Sequence, residues 1–378
     1  MSKAKAHLEF DIINAGGGDA FVIRYNDKKG KRRAILIDGG DGGVVKGKVK
    51  VLDTPPKGDK ANHLRPWLQK LADDGYEELE LLVVTHIDSD HIGGLVDFFR
   101  GEELPLSVKN LWFNWPLTNK VEENWKAPAS WKKNKDIPMG LEESIKQAMD
   151  LMTLARNHPD MAINGPYFAY LTSDRGKCRF NGVLDVTILG PSPEVFAEFK
   201  EFMIKAVKNK ANAAVTYKGK KVKDKDDKLI NVVSLVLLFE YNVDKQLEGK
   251  STSLLMPGDA RDDLIMDALE NEEQPFKVDL LKLPHHGSKN NNSKEFFERI
   301  KPKYVVISTN GIDYGHPDST TLTQLKAVYG ANNPQKPWLY HSVPISECGD
   351  ASVRKRLNAA NVTAPEAGED GQTIVLVR

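Results

Sequence analysis

The sequence predicts an α/β fold, and three observations carry that prediction. Short apolar runs rich in β-branched residues alternate with stretches of helical spacing along most of the chain. Three of those runs end in the same way, with a strand, then ligand-type side chains, then a glycine on one side or the other. They are VVTHIDSDHIGG from Val83, LLMPGDA from Leu254 and LLKLPHHGS from Leu280. Finally, the candidate ligands run from Asp38 to His316 with no internal repeat and no linker between them. A single domain over residues 1–378 would have to bring distant strand ends to one place. The carboxyl ends of strands are where α/β sheets usually place ligands.

The elements follow in order. LEFDII at 8–13 reads as a first strand, and a glycine-rich turn, Asn14 to Ala20, leads to a second at Phe21–Tyr25. A polar hairpin at 26–33 precedes a strand at Ala34–Ile37, which closes on Asp38-Gly39-Gly40. Residues 61–74 carry Leu64, Trp67, Leu68 and Leu71 at helical spacing. The run Leu81–Thr85 is a buried strand, followed by a helix over 95–100 and a strand over 109–115. A helix is predicted over 141–156, within a segment at about 116–177 that reads as an insertion. Its aromatics among lysines, Trp125, Trp131, Tyr167, Phe168 and Tyr170, fit packing of an added subdomain better than base stacking. A strand at 183–189 and a helix at 194–209 come next. A second insertion at about 205–228 holds nine lysines diluted by Asp224, Asp226 and Asp227. Strands at Leu229–Tyr241, 254–256, 278–283, 304–308, 338–341 and 373–377 alternate with helices at 261–271, 293–300 and 319–329.

Composition bounds the function classes. Lys plus Arg equals Asp plus Glu at 53 each, so net charge gives no argument for a polyanionic partner, and local patches must carry one. Hydrophobic residues at 40% and charged residues at 28% describe an ordinary globular chain able to bury a large core. No apolar run approaches the ~20 residues of a membrane span. The opening MSKAKAHLEFDII lacks a signal-peptide core, and Cys178 and Cys348 form no CxxC pair. These features favour a reduced, cytoplasmic setting.

The chemistry concentrates in LLVVTHIDSDHIGGL, residues 81–95. His86, Asp88, Asp90 and His91 are four potential metal ligands within six residues. In an extended segment His86, Asp88 and Asp90 project together. His91 then enters from a turn that Gly93 and Gly94 permit. Such a set suits one or two divalent cations. Asp259 could bridge two ions about 3.5–4 Å apart, a spacing that suits activation of water and clamping of a phosphoryl group. His286, with His285 beside it, lies at the third strand end.

The 86–91 stretch resembles the HxHxDH signature of the metallo-β-lactamase superfamily, with Asp88 where most members carry a second histidine. The form HxDxDHxGG resembles the branch that contains the nuclease domain of the competence protein ComEC. GGGDA, ILIDGG, PGDA, LKLPHHGS and YGHP occur in that branch's order, so the resemblance covers nearly the whole chain. It implies a four-layer αβ/βα sandwich, a two-metal hydrolase and DNA as substrate. It assigns His86 and Asp88 to a first metal, Asp90 and His91 to a second, Asp259 as the bridge and His286 to the second ion. Asp38 would support the metal loop. Asn231 and Ser234 stand where many members place a further histidine. Asp90 and His316 would take part in catalysis, His316 by contacting phosphate or protonating a leaving group.

These readings give a metal-dependent phosphodiesterase or nuclease acting on DNA through a metal-activated water. Asp88 in place of histidine enriches the site in oxygen, favouring Mn²⁺ or Mg²⁺, while its histidines keep Zn²⁺ in range. Lys218, Lys220, Lys221 and Lys223 could contact nucleic acid. The alternatives are a lactonase, a cyclic-nucleotide phosphodiesterase, or an inactive binding protein on the same fold.

Overall fold

The computed structural model describes residues 6–42, 62–101, 104–117, 140–158, 160–207, 229–242, 251–330 and 336–378, with backbone alone at 216–217 and 220–221. Two sheets face each other. The first comprises β1 (Leu8–Ile13), β2 (Phe21–Asn26), β3 (Arg32–Ile37), β4 (Glu78–Val84), β5 (Ser107–Val108), β6 (Asn110–Phe113), β7 (Ala162–Ile163) and the last strand of the chain, β17 (Gly371–Val377). Its order is β17-β1-β2-β3-β4-β6-β7, with β5 beside β4. The run from β17 to β3 is antiparallel, and β3, β4, β6 and β7 are parallel. The second sheet comprises β8 (Lys177–Phe180), β9 (Leu184–Gly190), β12 (Val236–Tyr241), β13 (Thr252–Met256), β14 (Phe276–Lys282), β15 (Ile300–Ile307) and β16 (Trp338–His341). A separate two-strand ribbon pairs β10 (Thr216–Tyr217) with β11 (Lys220–Lys221). The second sheet has the order β16-β15-β14-β13-β12-β9-β8 and is parallel from β13 to β16.

Alternation along the strands builds the layers. On β3, Ile35 and Ile37 face the inter-sheet core, while Ala34 and Leu36 face helices. On β4, Leu81 and Val83 point inward between the sheets, and Leu82 and Val84 point outward. Strands buried on both faces read as continuous apolar runs, which is why 81–84 shows no polar alternation. The helices α1 (Leu64–Asp73), α2 (Ser89–Arg100), α3 (Leu141–Arg156), α4 (Pro193–Val207) and the short α5 (Leu229–Val232) cover the first sheet. Those covering the second are α6 (Asp262–Ala268), α7 (Lys294–Arg299), α8 (Ser319–Tyr329) and α9 (Ala351–Ala360). Helix, sheet, sheet and helix make four layers, as the resemblance implied. No helix among the described residues is long and apolar enough to cross a membrane.

Two expectations near the site need correction. Residues 89–94 are not an extended segment and a turn, because α2 already begins at Ser89. Gly93 and Gly94 lie inside that helix, where their role is close packing. A Cβ on Gly94 would sit 2.0 Å from the Gly39 carbonyl oxygen, and one on Gly93 2.4 Å from the Gly42 nitrogen. Likewise Asn231 sits on the helical turn α5 rather than on a strand, and β12 starts at Val236. Of the insertion at 116–177, residues 118–139, with Trp125 and Trp131, lie outside the described residues. Tyr167 packs near Trp112 and Tyr170 on Phe196, in keeping with packing, whereas Phe168 is exposed, contrary to it. Lys218 and Lys223 also lie outside, and Lys220 and Lys221 are placed by backbone alone.

Candidate metal centre

The parallel strands of both sheets aim their carboxyl ends at one place. Asp38 follows β3, Thr85 and His86 follow β4, Asp259 follows β13, His286 follows β14 and Ser308 follows β15. Asp38 ties the metal loop down. Its Oδ1 accepts from the Thr85 amide at 2.8 Å, and its Oδ2 accepts from the Thr85 hydroxyl at 2.6 Å and lies 2.9 Å from His91 Nδ1. Asp38 adopts φ +56°, which turns its carboxylate back under the loop. Asp88 stands at the N-cap of α2, and Asp90 and His91 occupy its first turn.

Three imidazoles converge on Asp259. His86 Nε2 lies 3.8 Å from its Oδ2, His91 Nε2 3.4 Å from its Oδ1, and His286 Nε2 3.4 Å from its Oδ2. Asp90 Oδ2 is 3.0 Å from His286 Nε2 and 3.9 Å from His91 Nε2. Asp88 Oδ2 is 4.0 Å from His86 Nε2. The structure therefore clusters five of the six residues the sequence proposed as ligands, His86, Asp90, His91, Asp259 and His286, with Asp88 at the edge beside His86. The side chains of Asp88 and Asp90 remain 19% and 32% exposed while the imidazoles and Asp259 are buried, so the two aspartates mark the open side.

The other nitrogen of each ring is already engaged. His86 Nδ1 meets the Thr85 hydroxyl at 3.1 Å, His91 Nδ1 meets Asp38, and His286 Nδ1 donates to the Ser308 carbonyl at 2.7 Å. These acceptors place the proton on Nδ1 and leave a lone pair on Nε2. All three Nε2 atoms are buried and none makes a well-directed hydrogen bond, His286 Nε2 included although Asp90 Oδ2 lies 3.0 Å away. A buried polar atom left unpaired costs about 1–3 kcal/mol. Three of them on one carboxylate, ringed by further carboxylates, fit a divalent cation and little else. Without one, the carboxylates draw in protons instead. Burial opposes charge on His91 and His286, yet Asp259 with its acidic neighbours pushes both well above the ordinary histidine range. Burial beside His91 holds His86 well below it.

His285 is the weaker ligand candidate. Its Nε2 lies 3.7 Å from Asp259 Oδ2 but also 3.5 Å from Asn231 Nδ2, and its Nδ1 meets Asn291 at 3.1 Å. Ser234 Oγ accepts from the Asp259 amide at 3.2 Å, so it seats the bridging aspartate. The ring of His316 packs 5.7 Å from that of His285. Burial beside His286 and His285 lowers His316 to about 4, so it is neutral at neutral pH.

Two residues at the centre were not singled out from sequence. Lys282, the last residue of β14, is fully buried. It forms an ion pair with Asp19, lies 3.3 Å from Asp259 Oδ1 and donates to the Gly258 carbonyl at 3.0 Å. Asp19, from the glycine-rich turn, also reaches His286 Nδ1 at 3.4 Å. Its signal was a carboxylate closing a turn between two core strands, and that of Lys282 was the one charge in the apolar run LLKLP.

Comparison with known proteins is consistent with the fold. Residues 13–154 match the model of the metallo-beta-lactamase superfamily, a span well under half of the chain. The two-sheet, four-layer architecture is consistent with the fold of that superfamily. The sequence matches no curated protein. Among solved structures it is similar to a long form RNase Z from yeast, at 10% identity and a TM-score of 0.34, over 79% of this chain and 36% of that one. The chain thus spans about a third of the RNase Z. It is also similar to Tm1679, described as a metal-dependent hydrolase of the beta-lactamase superfamily. That likeness has 10% identity and a TM-score of 0.36, over 98% of this chain and 100% of that one. Both likenesses are too distant to bear on substrate.

Proposed function

We propose that this chain, matched over residues 13–154 by the metallo-β-lactamase superfamily, is a metal-dependent hydrolase of nucleic-acid phosphodiesters, with DNA as the preferred substrate. One observation carries the hydrolase reading: three buried imidazole Nε2 atoms without well-directed hydrogen bonds converge on the Asp259 carboxylate. His86 and Asp88 would hold one cation and Asp90, His91 and His286 another, with Asp259 shared between them. The charge count favours two. Asp19, Asp38, Asp88, Asp90 and Asp259 against Lys282 leave a net −4 with neutral imidazoles, which two divalent ions match. The oxygen-rich donors favour Mn²⁺ or Mg²⁺, and the imidazoles keep Zn²⁺ in range. Such a pair, when bound, supplies water activation and charge stabilisation at a phosphoryl centre.

The protein's own side chains do the remaining work. The Asp38 carboxylate and the Ser308 backbone carbonyl fix the tautomers of His91 and His286. Lys282 and Ser234 hold the Asp259 carboxylate and amide in place. His316, neutral beside His285, would donate a hydrogen bond to the departing oxygen rather than surrender a proton. The lysine run from Lys205 to Lys228 supports a polyanionic substrate by its charge.

The test is metal-stripped protein supplied with Mn²⁺ and offered single-stranded DNA, duplex DNA, RNA, cyclic nucleotides and a lactone. DNA cleavage is expected. Opening of the lactone with every nucleic acid left intact would remove the nuclease reading. Restoration by Zn²⁺ and never by Mn²⁺ would overturn the metal preference.

A further inference from the structure

A continuous run of rings leads from solvent to the metal centre. Tyr314 stacks on His316, with centroids 6.0 Å apart and planes at 21°. His316 meets His285 at 5.7 Å, His285 meets His286 at 5.9 Å, and His286 meets His91 at 5.3 Å. The inner rings are buried or nearly so. Tyr314, the outermost, is 65% exposed, with Ile312 beside it at 36%. A large aromatic left in water costs hydration free energy unless something covers it.

The loop that carries Tyr314 is held by the fold. Arg356 on α9 donates to the Gly315 carbonyl at 2.5 Å, Gly349 donates to the Asn310 carbonyl at 2.9 Å, and the Ile312 amide donates to Asn310 Oδ1 at 3.0 Å. The ring is therefore a preformed face, and its inner side is already backed by His316.

We infer that Tyr314 is the stacking platform for a nucleobase next to the scissile phosphodiester, a specificity residue that binds the substrate's base while the centre binds its phosphate. This rests on the phosphodiesterase reading above. Bases stack on exposed aromatic rings regardless of identity, so the platform selects nucleic acid over a simple phosphodiester without selecting a sequence.

The test compares wild type, Tyr314→Ala and Tyr314→Phe with Mn²⁺ on a short single strand and on the same strand with abasic sugars flanking the cleaved bond. Wild type is expected to show a KM about tenfold lower for the base-bearing strand. Tyr314→Ala should lose that preference, chiefly through KM rather than kcat, and Tyr314→Phe should keep it. Equal preference in wild type and Tyr314→Ala, with both cutting DNA, overturns the platform and leaves the nuclease reading standing. Wild type that cuts neither strand overturns the nuclease reading, and the platform with it.

Discussion

Lys282 is the residue on which the centre's electrostatics turn. An ammonium buried beside Asp19 and Asp259 persists because both carboxylates compensate its lost hydration. Burial alone would lower its pKa, but the Asp19 and Asp259 charges raise it instead. Replacing Lys282 by Met removes the cation and leaves two buried anions one positive charge short, with only the imidazoles of His91 and His286 beside them. Breaking a buried pair from one side costs about 3–5 kcal/mol. Urea unfolding of the metal-stripped Lys282→Met protein should show a loss of that order, largely recovered when Asp19→Asn is added. No loss in the single variant would contradict this account of Lys282. The ligands themselves were legible because His86, Asp88, Asp90 and His91 cluster within six residues. Asp19 and Lys282 were not, because each is a lone charge whose partner lies far along the chain and meets it only through the folded sheets.

At the scale of elements, the glycine-rich turn between β1 and β2 is a seat for the metal loop. The Asp19 amide donates to the Asp90 carbonyl at 3.1 Å, and a Cβ on Gly18 would fall 1.5 Å from that oxygen. Gly18→Ala must push the first turn of α2 away. An overpacking cost of about 1–3 kcal/mol is expected, together with weaker metal retention, read by urea midpoint and bound-metal content. The end of β16 carries a different liability. His341 is fully buried, and burial lowers it to about 4 despite the Val343 carbonyl beside it. Its folded pKa lies below its unfolded value of 6.5, so the unfolded chain takes up a proton first. Stability is therefore intact above pH 6.5 and falls as pH drops toward 4. Between pH 6.5 and 5 the loss should reach about 1.6 kcal/mol more in wild type than in His341→Asn, measured by denaturant titration at each pH. Parallel curves would contradict it. The elements most legible in sequence were those with undivided periodicity: the helices at 141–156 and 319–329 and the strand at 338–341 match their predicted bounds. Gly93-Gly94 misled because glycine marks both turns and close helix packing, and only the approach of Gly39 and Gly42 distinguishes the two. Helix α9 went unread, since ASVRKRLNAA buries only Val353 and Leu357 in the core, with Ala360 at its edge.

Across the whole molecule, two sheets, each antiparallel over one half and parallel over the other, meet over one core, and the site spans both. Asp38, His86, Asp88, Asp90 and His91 come from the first sheet and its helix, Asp259, Lys282 and His286 from the second. Cation binding should therefore cross-link the layers and stabilise the fold. At a free ion concentration a hundredfold above Kd, the gain is about 2.7 kcal/mol per site, read as a rise in unfolding midpoint over chelator-treated protein. If the lysine run holds a nucleic-acid strand, binding should weaken steeply with salt, and neutralising Lys218, Lys220, Lys221 and Lys223 together should flatten that dependence. Unchanged salt dependence would remove the lysines from the interface. The central claim is that these two sheets assemble a divalent-metal centre, and counting Mn²⁺ bound per chain by equilibrium dialysis of metal-stripped protein tests it most directly. Two ions are expected for wild type, with the count reduced in Asp88→Ala, His91→Ala and His286→Ala while each variant keeps its native circular dichroism. No bound ion in wild type, or the same count in every variant, would contradict it.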